Sequence, residues 1–105
     1  MENQKAYFYI LTNKGKTVLY AGSTKNLADR IRRHQNRYER GFTYKYNVTQ
    51  LIYFEILDDI NLARKREKQI KGWTRKRKIE LIESKNEKWV DLSHEVSGDP
   101  SLRSG

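Results

Sequence analysis

The chain contains no cysteine, one proline and only two histidines among its 105 residues. Without cysteine, neither a disulfide framework nor a cysteine-ligated zinc site can form. Two histidines, His34 and His94, argue against a structural zinc site. No apolar run approaches the length of a membrane span, and the N-terminus has no signal-peptide core. We therefore expect a cytoplasmic protein that does not associate with membranes.

Acidic residues are also scarce relative to basic ones. The chain carries 13 Asp and Glu against 22 Lys and Arg, which gives a formal net charge of +9. Such an excess is typical of proteins that bind nucleic acid or another polyanion, although a merely solvated surface is the alternative that composition leaves open. The length predicts one domain with one core. We place that domain at residues 1–95 and predict a disordered tail at residues 96–105.

Hydrophobic patterning and turn signals predict an alternation of strands and helices. The predicted strands cover residues 7–12, 17–21 and 48–57, and the first two form an antiparallel hairpin. Gly22 is expected to end the second strand, after which Thr24 or Asn26 caps a helix that reaches about residue 40. Two more helices are predicted at about residues 60–72 and 75–84.

The stretch 20–34 delivers several chemically useful groups to one place. Leu27 and Ile31 lie four residues apart and form an apolar helix stripe, while Arg30 and His34 form a second row beside it. The peptide N–H groups at a helix start favour anions, and arginine is well shaped to bind a phosphate with two hydrogen bonds. The pattern predicts a place where a phosphate is held.

One acidic residue stands out in the second predicted helix. Ala63, Glu67 and Ile70 recur at spacings of four and three, which predicts a core-facing stripe with a carboxylate in its middle. Burying a carboxylate is costly unless a cation compensates it. Glu67 is also the only acid in residues 64–78. The residues leave two interpretations open: a salt bridge to Lys71 on the next turn, or a metal ligand that faces a cleft.

Five short motifs occur in order between about residues 5 and 93. They are Tyr7-Phe8-Tyr9, Tyr20-Ala21-Gly22, Asn26-Leu27-x-x-Arg30-x-x-x-His34, Ala63-x-x-x-Glu67-x-Gln69-Ile70-Lys71-x-Trp73 and Asn86-x-x-Trp89-x-Asp91-Leu92. The set resembles the GIY-YIG nuclease domain, in particular its small, single-domain bacterial branch, which is related to the nuclease subunit of excision repair. Three positions depart from that pattern. Tyr7 replaces a glycine, Ala21 replaces an isoleucine or valine, and Ser23 stands where some members have a lysine.

The resemblance implies an α+β fold in which a three-stranded antiparallel sheet is flanked by about three helices. It also implies metal-dependent cleavage of a nucleic-acid phosphodiester. In that activity Glu67 would bind the metal and Arg30 would stabilise the transition state. Tyr9, Tyr20 and His34 are the candidates to orient or deprotonate the attacking water, and the sequence does not choose among them. Two further residues would support the site: Gly22 and Asn86.

The chemistry of the chain agrees with a single-metal site. Only one carboxylate, that of Glu67, stands out, whereas a two-metal site needs several that converge. A hard ion such as Mg²⁺ (or Mn²⁺) binds one carboxylate and keeps most of its waters. We therefore expect one divalent ion as cofactor.

Basic residues flank the proposed site and predict a surface for nucleic-acid backbones. These residues are Lys25, Arg32, Arg33, Arg37, Arg40 and Lys45. No pattern codes for base readout, so we expect binding that is directed by structure or depends only weakly on sequence. With the resemblance, the basic chain leads us to expect an endonuclease that acts on DNA rather than RNA, in repair or in processing of branched or damaged strands. We expect a monomer that depends on a targeting protein for substrate choice. A non-catalytic nucleic-acid-binding module and a domain whose basic face meets an acidic protein are the alternatives.

Overall fold

The computed structural model describes residues 4–35 and 47–96. Its elements are β1 (Ala6–Thr12), β2 (Leu19–Thr24), α1 (Leu27–Gln35), β3 (Gln50–Leu57), α2 (Ile60–Lys71), α3 (Arg75–Lys85) and a short 3₁₀ turn at Ser93–Glu95. The described part is thus an α+β fold with one three-stranded antiparallel sheet, which confirms the predicted fold class. Several predictions lie outside the described residues: the far end of the first helix, residues 97–105 of the tail, and Arg37, Arg40 and Lys45.

The sheet has the strand order β2-β1-β3, so β1 is central and the other two strands form its edges. Six of the seven residues of β1 are buried, because this strand is covered on both faces. In the ladder, Tyr9 lies opposite Gly22 of β2 and opposite Phe54 of β3. The register of both edge strands is therefore defined with respect to Tyr9.

Alternation along the strands creates two cores, one on each face of the sheet. The core beneath α2 and α3 contains Phe8, Ile10, Ala21, Ile52, Tyr53, Ile70 and Ile82. The core beneath α1 contains Tyr9, Leu11, Leu27, Ile31, Val48 and Leu51. The first helix therefore covers one face of the sheet and the two later helices cover the other.

Four strand boundaries differ from those predicted. The prediction that Gly22 ends β2 is wrong, because the strand continues to Thr24 and Gly22 pairs with Tyr9 inside the ladder. Interstrand pairing outweighs the preference of glycine for turns here. The three strand starts also differ: β1 begins at Ala6 rather than at residue 7, β2 at Leu19 rather than at residue 17, and β3 at Gln50 rather than at residue 48.

The helix starts follow the predicted capping chemistry. The backbone N–H of Asp29 donates to Asn26 Oδ1 at 2.9 Å, so Asn26 rather than Thr24 is the N-cap of α1. Asp59 and Thr74 accept from backbone N–H groups at the starts of α2 and α3. Within residues 4–35 and 47–96, no helix is long and apolar enough to cross a membrane.

The segment after α3 is tied to the outer edge of β3. Asn86 Nδ2 donates to the carbonyl oxygens of Ile52 at 2.9 Å and Val90 at 2.8 Å. The backbone N–H of Leu92 donates to the carbonyl of Leu51 at 2.6 Å. These bonds satisfy part of an otherwise open strand edge and hold the chain after α3 against the sheet.

Candidate active site

The side chain of Tyr9 lies directly over Gly22. A Cβ atom built on Gly22 would come within 2.5 Å of the Tyr9 hydroxyl oxygen and within 2.6 Å of Tyr9 Cζ. Any larger residue would therefore displace the ring, which is itself fully buried. The glycine of the second motif thus determines where the hydroxyl group of Tyr9 lies.

Tyr20 and Arg30 are near the hydroxyl of Tyr9. The ring centroids of Tyr9 and Tyr20 are 6.4 Å apart, with the ring planes inclined by 41°. Burial raises the pKa of Tyr9 well above its ordinary value, and Tyr20 and Glu67 act in the same direction. The guanidinium of Arg30 opposes them only in part. Four of the predicted site residues thus share one electrostatic environment.

Glu67 reaches this place from α2 and is held by two partners. Its Oε1 accepts a hydrogen bond from Ser23 Oγ at 2.5 Å, and its Oε2 accepts one from Lys71 Nζ at 2.6 Å. The Glu67 side chain is 22% exposed, whereas that of Lys71 is 52% exposed. Of the two interpretations, the salt bridge between Glu67 and Lys71 is therefore present. The same carboxylate also helps to raise the pKa of Tyr9.

The edge strand β2 explains how residues from both faces of the sheet meet. Gly22 lies on the α1 side with Tyr9, while Ser23, the next residue, lies on the α2 side and contacts Glu67. Since no other strand within residues 4–35 and 47–96 pairs with this edge, groups from the two faces can approach each other around it. The site is built around two consecutive residues of one strand.

The donor set fits one divalent cation and not a cluster. Among the described residues, no group of three or more His, Cys, Asp or Glu side chains could hold a metal ion. Among the described residues of the site, the carboxylate is that of Glu67, and the ammonium of Lys71 already lies on its Oε2. A position that accepts an ammonium suits a cation, and the lysine stem is exposed enough to move away. One hard ion, bound by one carboxylate and by water, fits this arrangement.

The predicted binding residues are only partly described. Lys25 precedes α1 and is exposed, as are Arg32 and Arg33 on that helix. Arg33 Nε donates to Asp29 Oδ2 at 3.0 Å in a surface pair. His34 lies on α1 one turn after Arg30, and its side chain is outside the described part of the structure.

The structure does not bring Asn86 to the other site residues. Its amide makes hydrogen bonds to backbone groups beside β3, at the edge of the sheet opposite β2. Conversely, Ser23 contacts Glu67, which sequence reasoning did not anticipate. The sequence feature that could have indicated this contact is the alternation of side chains along a strand, which places Ser23 on the face of the sheet opposite Gly22.

Comparisons with known proteins identify relatives of this chain. A family model described as the GIY-YIG catalytic domain matches residues 5–80. The chain is 37% identical over 91 residues to a UPF0213 protein of Clostridium perfringens, a match that covers 87% of this chain and 97% of the relative. It is 35% identical over 85 residues to a UPF0213 protein of Syntrophus aciditrophicus, covering 80% and 97%. No solved structure gives a significant match. The chain therefore belongs to the GIY-YIG catalytic domain family, a family of the nuclease type.

Proposed function

We propose that this protein is a metal-dependent endonuclease that hydrolyses phosphodiester bonds in DNA, in the repair or processing of branched or damaged strands. Membership of the GIY-YIG family supports an activity of the nuclease type. The observation that carries the proposal is the convergence of Tyr9, Tyr20, Arg30 and Glu67 beside Gly22, at one edge of the sheet.

Arg30 is the residue suited to stabilise the transition state. It lies in the first turns of α1 and acts on the Tyr9 hydroxyl, so its guanidinium is held beside the other site groups. A guanidinium binds phosphate oxygens with two parallel hydrogen bonds and keeps its charge at any physiological pH. Charge that builds up on those oxygens during cleavage is stabilised by a donor already in position.

The two tyrosines are suited to different tasks. Tyr9 is fully buried and its pKa is raised, so its phenol keeps its proton and can donate a hydrogen bond. We therefore assign to Tyr9 the orientation of the attacking water or of a phosphate oxygen. Tyr20 is only partly buried, and His34 lies one helical turn beyond Arg30. These two residues are the candidates to accept the proton of the water.

Glu67 is the proposed ligand of Mg²⁺ or Mn²⁺, in keeping with the general use of a divalent metal by GIY-YIG nucleases. When bound, the ion supplies positive charge against the negative charge that develops on the phosphoryl oxygens. Ser23 holds Oε1 of the carboxylate in place through its hydroxyl. Lys71 neutralises Oε2 while no metal is bound and can withdraw along its flexible stem.

Exposed basic residues beside the start of α1 are proposed to hold the DNA backbone. Lys25, Arg32 and Arg33 form the described part of this surface, and the contributions of Arg37, Arg40 and Lys45 remain predictions. Contacts of this kind position a strand without reading its sequence. We also propose that the catalytic unit is a monomer and that a separate targeting partner selects its substrate.

A cleavage assay tests the function directly. Labelled single-stranded, duplex and branched DNA, with matching RNA, is incubated in Mg²⁺, Mn²⁺ and EDTA. We expect cutting of DNA only with a divalent ion, and a loss of about 10²–10³-fold in Glu67→Gln and in Arg30→Ala. Glu80→Gln and Arg64→Ala, at exposed helix positions, are the matched controls and keep full activity.

Two results would contradict the proposal. Cutting that survives in Glu67→Gln would show that the activity belongs to another site or to a contaminant. No cutting of any substrate, with binding that is salt-sensitive and unchanged in Glu67→Gln, would establish the non-catalytic nucleic-acid-binding module instead. The contact between Lys71 and Glu67 is the structural feature that favours this second candidate, because a permanent salt bridge would block the metal ligand.

A further inference from the structure

A concave surface lies beside the candidate active site, where β1 and β2 meet the end of α2 and α3. It is a groove of about 280 Å³. Its lining consists of Ile10, Leu19, Tyr20, Ala21, Lys71 and Lys78. The volume is close to the lower end of the range for small-molecule sites, about 300–1,000 Å³. The groove is therefore large enough for one small planar group, not for a duplex.

The groove is continuous with the site through two shared residues. Tyr20 is one of the candidate bases, and Lys71 donates to Oε2 of Glu67. A ligand in the groove would thus lie next to the place where a phosphodiester is held. The remaining lining residues, Ile10, Leu19, Ala21 and Lys78, have no role in the proposed reaction.

The chemistry of the lining combines an apolar floor with cations. The aliphatic lining consists of Leu19, which is partly exposed, and of Ile10 and Ala21, which are buried. Lys71 and Lys78 approach from the end of α2 and from α3. A nucleotide has the complementary character, since its base has apolar faces and its phosphates are anionic. Bases that are not paired expose these faces and pack on protein side chains, whereas bases in a duplex are stacked and hidden.

We propose that this groove is a subsite for one unpaired nucleotide next to the cleaved bond. Its base packs on the apolar floor, and Lys78 contacts its backbone phosphate. The position of the groove next to a cleaved bond rests on the proposed function, whereas the binding of a nucleotide in it does not. The assignment deepens that function by naming the substrate class: a strand with an unpaired nucleotide at the cleavage point, such as a flap, a bulge or a single strand.

Binding measured in EDTA tests the subsite without requiring any cleavage. Fluorescence anisotropy is recorded for a labelled oligo-dT single strand and for the blunt dT·dA duplex of the same length, over a series of salt concentrations. The variants are Lys78→Ala and Lys76→Ala. Lys76 is a matched control, because it has the same charge on the same helix and lies about 200° around the helix axis from Lys78.

We expect Lys78→Ala to weaken single-strand binding about five- to tenfold and to reduce the slope of log K against log salt by about 0.7, the value for one lost phosphate contact on a single strand. Lys76→Ala changes each quantity by less than half as much. On the blunt duplex the two variants bind equally well. Lys78→Arg restores single-strand binding, because the charge returns to the groove.

Three outcomes would overturn the subsite. Equal losses for Lys78→Ala and Lys76→Ala on the single strand would show only general electrostatic attraction. An equal effect of Lys78→Ala on duplex and single strand would show a phosphate contact that requires no unpaired base. Weak binding in Lys78→Arg would show that charge is not what Lys78 contributes. A protein that meets the expectations but never cuts DNA would refute the nuclease and keep the groove as a nucleotide site.

Discussion

Glu55 and Glu67 are two partly buried carboxylates that each bind a cation from α2, at opposite edges of the same sheet. Glu55, on β3, receives Arg66 Nε on Oε1 and Arg66 Nη2 on Oε2, both at 2.9 Å, and Tyr53 donates to Oε2 as well. Glu67 faces β2 and receives one ammonium and one hydroxyl group. Their side chains are 15% and 22% exposed, so burial alone does not distinguish them.

The cations on the two carboxylates differ in how easily they can leave. Arg66 is itself fixed, since its Nη1 donates to Gln69 Oε1 at 3.0 Å and its guanidinium lies 5.7 Å from the ring centre of Trp73. A bidentate guanidinium occupies both oxygens of Glu55 and resists displacement. Lys71 is a point charge on a flexible, half-exposed stem. Of the two carboxylates, Glu67 is therefore the one whose cation can be exchanged, which suits the metal ligand that we propose.

Exchanging each glutamate for glutamine gives the largest contrast. Glu67→Gln should lower cleavage about 10²–10³-fold with little change in stability, because its lysine partner is exposed. Glu55→Gln should keep the activity of the folded protein and lower its free energy of unfolding by about 1–2 kcal/mol, because a charge-assisted pair is lost. Cleavage assays and urea unfolding of both variants measure the two effects. If both variants lost activity and stability to the same extent, Glu67 and Glu55 would not differ in role as proposed.

Much of the fold could be predicted from sequence, because its signals are local. The hairpin follows from two apolar runs and a short turn, and α2 and α3 follow from caps at Asp59 and Thr74. The end of β2 was missed because the pairing of Gly22 with Tyr9 depends on a strand register, which local turn preference does not reveal. The sequence pattern therefore predicts which strands and helices are present better than it predicts the residues at which they begin and end.

The site was predictable where a residue violated the local pattern. Glu67 could be singled out as a carboxylate in an apolar stripe, without knowledge of the fold. Its bond to Ser23 joins residues 44 positions apart, so it depends on how α2 packs against the sheet. Asn86 had the right type and order for the family motif, yet it lies beside β3. Motif order does not by itself establish that residues are neighbours.

Adding one methyl group to a glycine tests how tightly the proposed catalytic cluster is packed. Gly22→Ala would place Cβ within 2.6 Å of Tyr9 Cζ, so we expect a loss of about 1–3 kcal/mol in stability and a strong loss of cleavage as Tyr9 shifts. Gly72→Ala is the control, because its Cβ meets only Gln69 O at 3.5 Å and its φ is −81°. Thermal unfolding of both variants decides the matter. Full stability in Gly22→Ala would show that Tyr9 does not lie over this glycine in solution.

The smallest expected effect is the pH dependence of the Glu55 cluster. Burial alone would raise the pKa of Glu55, but the hydrogen bonds and charge of Arg66 and the hydroxyl of Tyr53 outweigh it, so the pKa lies below its ordinary value. Because the folded pKa is the lower one, the folded state gains stability above the ordinary carboxyl pKa of about 4.3. That gain is lost as the pH falls through the folded pKa. Urea unfolding should show that the difference in free energy of unfolding between wild type and Glu55→Gln shrinks below about pH 4.

The control for this pH dependence is Arg66→Met. Because the cation is absent in that variant, less of the pH dependence should remain. If the stability difference between wild type and Glu55→Gln stayed constant into acid, the charges of Glu55 and Arg66 would add no stability, although the two side chains are in contact.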